Sequence, residues 1–433
     1  MLGRASPTRP RSLGAGRVAS SSFYVLLGSA SRIGAQTIAF LVGARLLGPE
    51  AFGEFAAALA LVTLASTLTE AGGYVLLIRD VSAGERVREA AGNTLGIYAV
   101  LTLPAACIVI GAKLVLLPAV EWSVLLGAFV AVFVGARLYL ASAGCNLAHD
   151  FAWRNAVLDG AAAAVLLLTV SLAWLVGADL HAWSALYALQ YVLVGTAGMG
   201  WSALTWGLPR VTAAGVRRRL GSAVHIGVGS AAQAGVTDLD KLILSRLDGS
   251  AAVGIYSVAC RVVAVSSLPV GSAYTVLLRT FFYAGVVGSR PLLTLAGRTA
   301  VGAVLYGGLA GAVLWFLSGV LPGVVGPRYD GSALAIRYLA LVPLLQGLYA
   351  VSANSLLSLG AEAAWARLQV AALVVNAVLN VWLVPYAGWT GSATASVVTQ
   401  VLQVLCTGSA LLWRVRWGGS GPMKSGERRP WSG

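Results

Sequence analysis

Charge is scarce in this chain. Asp, Glu, Lys and Arg supply 11% of its 433 residues, against about a quarter in soluble domains, and the mean hydropathy is +0.81. That balance excludes a soluble globular domain. Cysteine is scarce as well: Cys107, Cys145, Cys260 and Cys406 show no paired spacing, and three of the four lie inside long apolar stretches. A disulfide framework and a metal cluster are therefore not expected. His149, His181 and His225 stand alone, without ligand spacing, and read as interfacial or packing residues. No cofactor or metal is expected.

Apolar sequence is what the chain has in quantity. Crossing a hydrocarbon layer of ~30 Å takes about 20 apolar residues at 1.5 Å each. Twelve such stretches are read here: 22–47, 51–78, 92–112, 122–143, 156–178, 181–206, 221–246, 252–277, 299–325, 332–359, 366–385 and 391–413. The doubtful segment is 278–298, where Leu277 to Tyr283 is still apolar. The expected fold is an all-α integral membrane protein of about twelve spans.

Lys and Arg set the orientation, because cytoplasmic loops hold the positive excess. With the N-terminus inside, the inner segments hold 21 cationic residues and the outer segments four, Arg45, Lys113, Arg246 and Arg328. Both termini are thus expected in the cytoplasm of a multi-pass plasma (inner) membrane protein. The formal charge of +14 reflects this topology and attraction to anionic inner-leaflet lipid, not nucleic-acid binding. The first 21 residues are basic and rich in Ser, Pro and Gly. The span behind them is too long for a signal-peptide core and lacks a small-residue cleavage site, so it reads as an uncleaved anchor.

The chain also repeats itself. Shifted by 201 residues, Gly28 to Val62 aligns without a gap onto Gly229 to Val263, with 12 identities in 35 positions, among them Gly48/Gly249 and Gly53/Gly254. Six spans separate the copies, an even number, so the halves enter the membrane the same way round. They are expected to be parallel repeats about an axis along the membrane normal, with a working cavity between them. The expected organisation is a basic tail at 1–21, an N-lobe at 22–207, a basic cytoplasmic linker at 208–220, a C-lobe at 221–413 and a basic tail at 414–433. The outer loops are short and leave no room for an external domain.

Ionisable groups inside spans are costly, by ~2.5–3.5 kcal/mol on insertion scales, so depth decides how each is read. Arg32 and Arg261 each lie ~15 Å deep, at the midplane. They point either to a cationic cavity holding an anionic head group or to buried structural ion pairs. Ser29, Arg32 and Gln36 share one helix face, and Ser230, Gln233 and Thr237 stand at the matching places in the repeat. That stripe suggests two helices facing a wet groove, with ordinary interhelical packing as the alternative. Arg137, in the inner third of the fourth span, joins the candidate cavity. Asn376 and Asn380 either line the second lobe's wall or bond to a neighbouring helix. Glu70, on a face with Thr63, Ser66 and Thr67, is a candidate coupling site or a solvated carboxylate. Asp159 and Arg337 lie near span ends and read as structural or as cavity rim. Asp238, Asp240 and Lys241 form a D-x-D-K segment near an outer helix end. The metal-binding D-x-D of glycosyltransferases belongs to soluble α/β domains, so an ion-paired cluster with a coupling or gating role is the better reading.

Three segments carry a family likeness: ARLLGPEAFGEFAAALALV (Ala44 to Val62), LDKLILSRLDGSAAVGIYSVACRV (Leu239 to Val262) and the run from Gln346 to Gln400. They resemble the Wzx-type polysaccharide-biosynthesis flippases of the multidrug/oligosaccharidyl-lipid/polysaccharide exporter superfamily, over nearly the whole chain. The resemblance implies transport rather than enzymatic catalysis. The implied activity is export of polyprenyl-diphosphate-linked oligosaccharide to the outer leaflet by alternating access. The implied partners are the lipid-linked glycan, membrane lipids, and a polysaccharide polymerase or glycosyltransferases of the same pathway. It also implies a cationic lumen, onto which Arg32, Arg261 and the Asp240/Lys241 segment map; Gln233 stands where a second arginine would match Arg32. Two other transporter readings stay open, a cation-coupled multidrug antiporter and a lipid-linked peptidoglycan-precursor flippase. A membrane-bound polymerase, ligase or glycosyltransferase would need an outer domain that the short loops do not provide.

Overall fold

A computed structural model of the chain describes residues 15–82, 84–149 and 151–417. Among these residues there are helices and no strands. The first helix, α1 (Ala15–Ser82), carries two of the expected spans in one run, broken at Gly48 by φ 78° and ψ 172°. α2 (Val87–Leu116) follows. α3 (Trp122–Val130) and α4 (Arg137–Ala148) form one rod through a π-helical turn, Ala131–Ala136. α5 (Ala152–Leu175), α6 (Leu180–Trp206), α7 (Ala213–Leu247), α8 (Ser250–Val287) and α9 (Ser289–Leu317) are single helices. Short α10 (Leu321–Val325) and α11 (Asp330–Leu339) lead to α12 (Val342–Ser358). The last, α13 (Glu362–Trp417), is broken at Gly388 by φ 55°.

Among the described residues eight runs are long and apolar enough to cross a membrane, and two of them, Leu27–Glu70 and Glu362–Arg416, have 44 and 55 residues. Those two exceed the ~20 residues of one crossing and divide at Gly48 and Gly388. That makes ten crossings, and α6 and α7, of 27 and 35 residues, complete twelve. The doubtful segment 278–298 adds no thirteenth crossing: α8 simply continues to Val287, and Gly288 turns the chain into α9.

The interhelical turns gather at two faces. At one, here the turn face, Tyr329 Oη donates to the Ala44 carbonyl at 2.9 Å and Arg45 donates to the Val324 carbonyl at 2.8 Å. At the other, the terminal face, Arg219 of α7 is paired with Asp80 at 2.6 Å and with Glu85, while the Thr212 amide donates to Asn93 at 2.8 Å. The linker end of α7 is thereby moored to the α1–α2 corner of the other half.

The repeat seen in the sequence has a backbone counterpart. Gly249 adopts φ 87° and ψ 172°, matching Gly48. Such a conformation is open essentially to glycine alone. Five residues on, Gly53 lies against the Ser250 carbonyl and Gly254 against the Pro49 carbonyl, so that a methyl group at either would overlap backbone. Both contacts are related by the same shift of 201. The core at this face repeats in the same way, with Phe52 and Phe55 in one half and Val253 and Tyr256 in the other, all almost fully buried. Small residues let two helices meet backbone to backbone, and here they close the turn face over the space beneath.

Candidate functional site

A cavity of about 550 Å³ lies below that closure. Its walls come from both limbs of α1 on one side (Phe40 and Ala56 to Thr63) and from α7, α8, α12 and α13 on the other. The lining begins some seven or eight residues from the glycine turns, ~11 Å deep, and continues toward the terminal face. This is the central cavity between the lobes, set mainly against the C-terminal half.

Four charged residues line it, two acids and two bases. Lys241 is ion-paired with Asp238. Asp240 accepts from Tyr256 Oη at 2.6 Å and from Ser396 Oγ at 3.2 Å. Arg261 forms no ion pair among the described residues; its guanidinium lies 5.8 Å over the Phe40 ring, and its Nε is buried without a partner. The wall is thus balanced in charge, where the resemblance led us to expect a mainly cationic lumen. The DLDK segment supplies the balancing acids.

The residues expected to share one cavity are divided between two and neither. Thr237, Asp240, Lys241 and Arg261 line the large cavity. Arg32 and Gln36 instead line a separate pocket of about 40 Å³ within the N-terminal half. There Arg32 Nε stands 2.8 Å from Asp159 Oδ1, Tyr139 Oη donates to the same carboxylate at 2.6 Å, and Gln36 donates to Tyr191 Oη at 3.3 Å. The physical reason is that α5 brings Asp159 to the depth of Arg32, so this arginine is partnered in a structural ion pair.

Arg137 lines neither space. Only 2% exposed, it is held 4.7 Å from the rings of both Tyr98 and Phe133 and donates to Thr69 Oγ1 and the Ser66 carbonyl, joining α1, α2 and the π-helical turn. Glu70 lies one turn from this knot and accepts from Ser66 Oγ at 3.4 Å. Asn380 is fully buried in α13, bonded to Asn376 and to Ser392 at 2.5 Å, a contact within the helical hairpin. The Gln233 side chain lies outside the described residues.

Sequence reasoning missed a polar set on the C-terminal side: Ser257, Gln346, Tyr349, Gln369, Gln400 and Gln403 all line the large cavity. A signal for it was present. Ser396, Gln400 and Gln403 follow at spacings of four and three, and Ser257 precedes Arg261 by four, so each group shares a helix face.

The family model described as polysaccharide biosynthesis protein matches residues 18–282. The chain belongs to that family. Among curated proteins none matches it by sequence. Among solved structures, an inward-facing multidrug resistance MATE family transporter of the MOP superfamily aligns with TM-score 0.72 and 14% identity, over 90% of this chain and 98% of its own. The lipid II flippase MurJ in an inward closed conformation aligns with TM-score 0.71 and 13% identity, over 89% and 87%. An outward-facing MATE family transporter gives TM-score 0.60 and 14% identity, over 92% and 95%. This member of the polysaccharide biosynthesis family therefore has the all-helical, multi-pass membrane fold of those transporters.

Proposed function

We propose that this protein is a flippase that takes a polyprenyl-diphosphate-linked oligosaccharide from the cytoplasmic leaflet and releases it in the outer leaflet by alternating access. In this reading the terminal face is cytoplasmic, the lobes at 22–207 and 221–413 rock about the linker at 208–220, and the cavity is the carriage for the head group. The observation that carries it is Arg261: a guanidinium at mid-depth in a 550 Å³ cavity, without an acidic partner, its Nε left unbonded. The closed turn face and the higher TM-score to the inward-facing relative support a resting conformation open to the cytoplasm.

Physical need supports the assignment. Each sugar hydroxyl stripped of water without a new partner costs ~2 kcal/mol or more, so a glycan does not cross hydrocarbon unaided. A polar-lined cavity lowers that barrier while the polyprenyl tail stays in lipid. Arg261 meets the diphosphate by charge-assisted hydrogen bonds, and the family's place in polysaccharide biosynthesis fits such a cargo.

The test is flux of lipid-linked oligosaccharide in proteoliposomes. Hydrogen bonds to charged groups contribute about 1.5–3 kcal/mol, so Arg261→Ala should slow export roughly 10- to 100-fold with membrane insertion unchanged, and Arg261→Lys should fall between. Export by Arg261→Ala at the parental rate would reject the assignment. A second reading, a cation-coupled multidrug antiporter, draws on Asp238 and Asp240 in the same wall. It predicts uptake of a lipophilic cation by the same vesicles and none of the glycan lipid.

A further inference from the structure

Three residues that line one cavity, Ser257, Gln400 and Arg261, each carry a buried polar atom without a protein partner: Oγ, Oε1 and Nε. Buried polar atoms are bonded in the large majority of cases, and each exception asks for an explanation. Three exceptions around a single space of ligand size, inside the ~300–1,000 Å³ range of small-molecule sites, share one.

Building on the flippase reading, we propose that the α8–α13 wall of this cavity is a sugar subsite, in which Ser257 and Gln400 bond hydroxyls of an uncharged glycan segment beside the diphosphate held by Arg261. The chemistry selects the ligand class. Arg261 Nε only donates, so its partner must accept, which excludes an ammonium. Gln400 offers a carbonyl acceptor, and turned over it offers an NH₂ donor; Ser257 both donates and accepts. An alcohol satisfies all of these in either orientation, whereas a phosphate oxygen accepts and does not donate. The charge balance of the wall points the same way. Asp238 and Lys241 neutralise one another and Asp240 faces the same space as Arg261, a balanced setting that suits a neutral polyol beside the diphosphate. Next to the orphans, Gln403 donates to Gln369 at 3.0 Å and Trp365 to Tyr349 Oη at 2.9 Å, fixing amide and phenol groups on the same wall.

The full chain in nanodiscs should be tested with two ligands: the lipid-linked oligosaccharide pool extracted from the cells that make it, and undecaprenyl diphosphate, which lacks sugar. The wild type should bind the glycan-bearing pool at least about tenfold more tightly, as one or two hydrogen bonds would give. Gln400→Leu with Ser257→Ala should erase that advantage and leave the affinity for undecaprenyl diphosphate unchanged. The single change Ser257→Ala, which removes one oxygen, should erase part of it and guards against a folding defect in the double variant. An undiminished advantage in both variants, or equal losses for both ligands in the single variant, overturns the subsite. Wild-type binding of undecaprenyl diphosphate with no gain from the glycan overturns the subsite and leaves the flippase reading standing. Binding of neither ligand removes both.

Discussion

Arg32 and Arg261 sit at similar depth in matching halves, yet one is partnered and the other is not. Asp159, whose side chain is 9% exposed, receives Arg32 at 2.8 Å and Tyr139 Oη at 2.6 Å. Arg32 itself is 39% exposed, so what its removal leaves is the buried Asp159 carboxylate uncompensated, a larger loss than removing both charges. Arg32→Ala should therefore lower thermal stability more than the double change Arg32→Ala/Asp159→Asn, with a coupling of about 0.5–3 kcal/mol. Thermal unfolding in detergent measures it; strictly additive effects would show that the pair holds nothing together. The same pair marks a boundary of what sequence discloses. The depth of Arg32 follows from counting residues, but its partner is 127 positions away, and only the packing of α5 on α1 brings them together. Arg261 was legible from its depth alone, and among the described residues no ion pair takes it out of the cavity. Ser257 and Gln400 were legible as same-face polar residues, but what makes them candidates is the lack of a partner, a property of the folded wall.

At the scale of helices, glycines set the architecture and inserted turns obscure it. The paired breaks at Gly48 and Gly249 could be read from the 201-residue shift, and they recur with almost the same dihedral angles. The π-helical turn Ala131–Ala136 could not, since nothing in AVFVGA announces it. A single widened turn displaces every later side chain around the helix, so the depth of Arg137, which placed it in the candidate cavity, does not tell which way it faces. Gly53 and Gly254 support a direct prediction. Gly53→Ala places a methyl group on the Ser250 carbonyl, so the turn-face closure should loosen and the cavity should become reachable from that side. Cys260 lines the cavity and reports on this in a variant whose other three cysteines are serine. A membrane-impermeant maleimide applied at the turn face should label Gly53→Ala faster than its parent, and equal labelling would show that the contact is not a barrier.

For the whole molecule, the uneven distribution of arginine and the charge of the cargo combine. On the flippase reading, the diphosphate carries two negative charges outward across a membrane that is negative inside. That movement is downhill by ~2.3 kcal/mol per charge per 100 mV, provided Arg261 stays fixed in the field. Collapsing the potential in proteoliposomes while maintaining any pH gradient should slow export, and an unchanged rate would mean that the charge moves with a compensating cation. The overall fold was the most legible feature, because twelve apolar stretches, an even count and a gap-free repeat all constrain the same architecture. Cavity placement was the least, because it depends on how the two halves lean on each other.

At its glycines, the joint at the turn face is main chain against main chain. Pro49 and Ser250 carbonyls rest on Gly254 and Gly53, and beside them Arg45 and Tyr329 add side-chain bonds to the Val324 and Ala44 carbonyls that must also part. The two glycine contacts are related by the same repeat, so they part together. A cargo that favours the parted state by a few kcal/mol is then enough to tip the balance, since a ligand shifts a two-state equilibrium only by its preference for one state. The smallest residue in the alphabet, used twice, would make the gate a spring-free latch, responsive to what sits behind it.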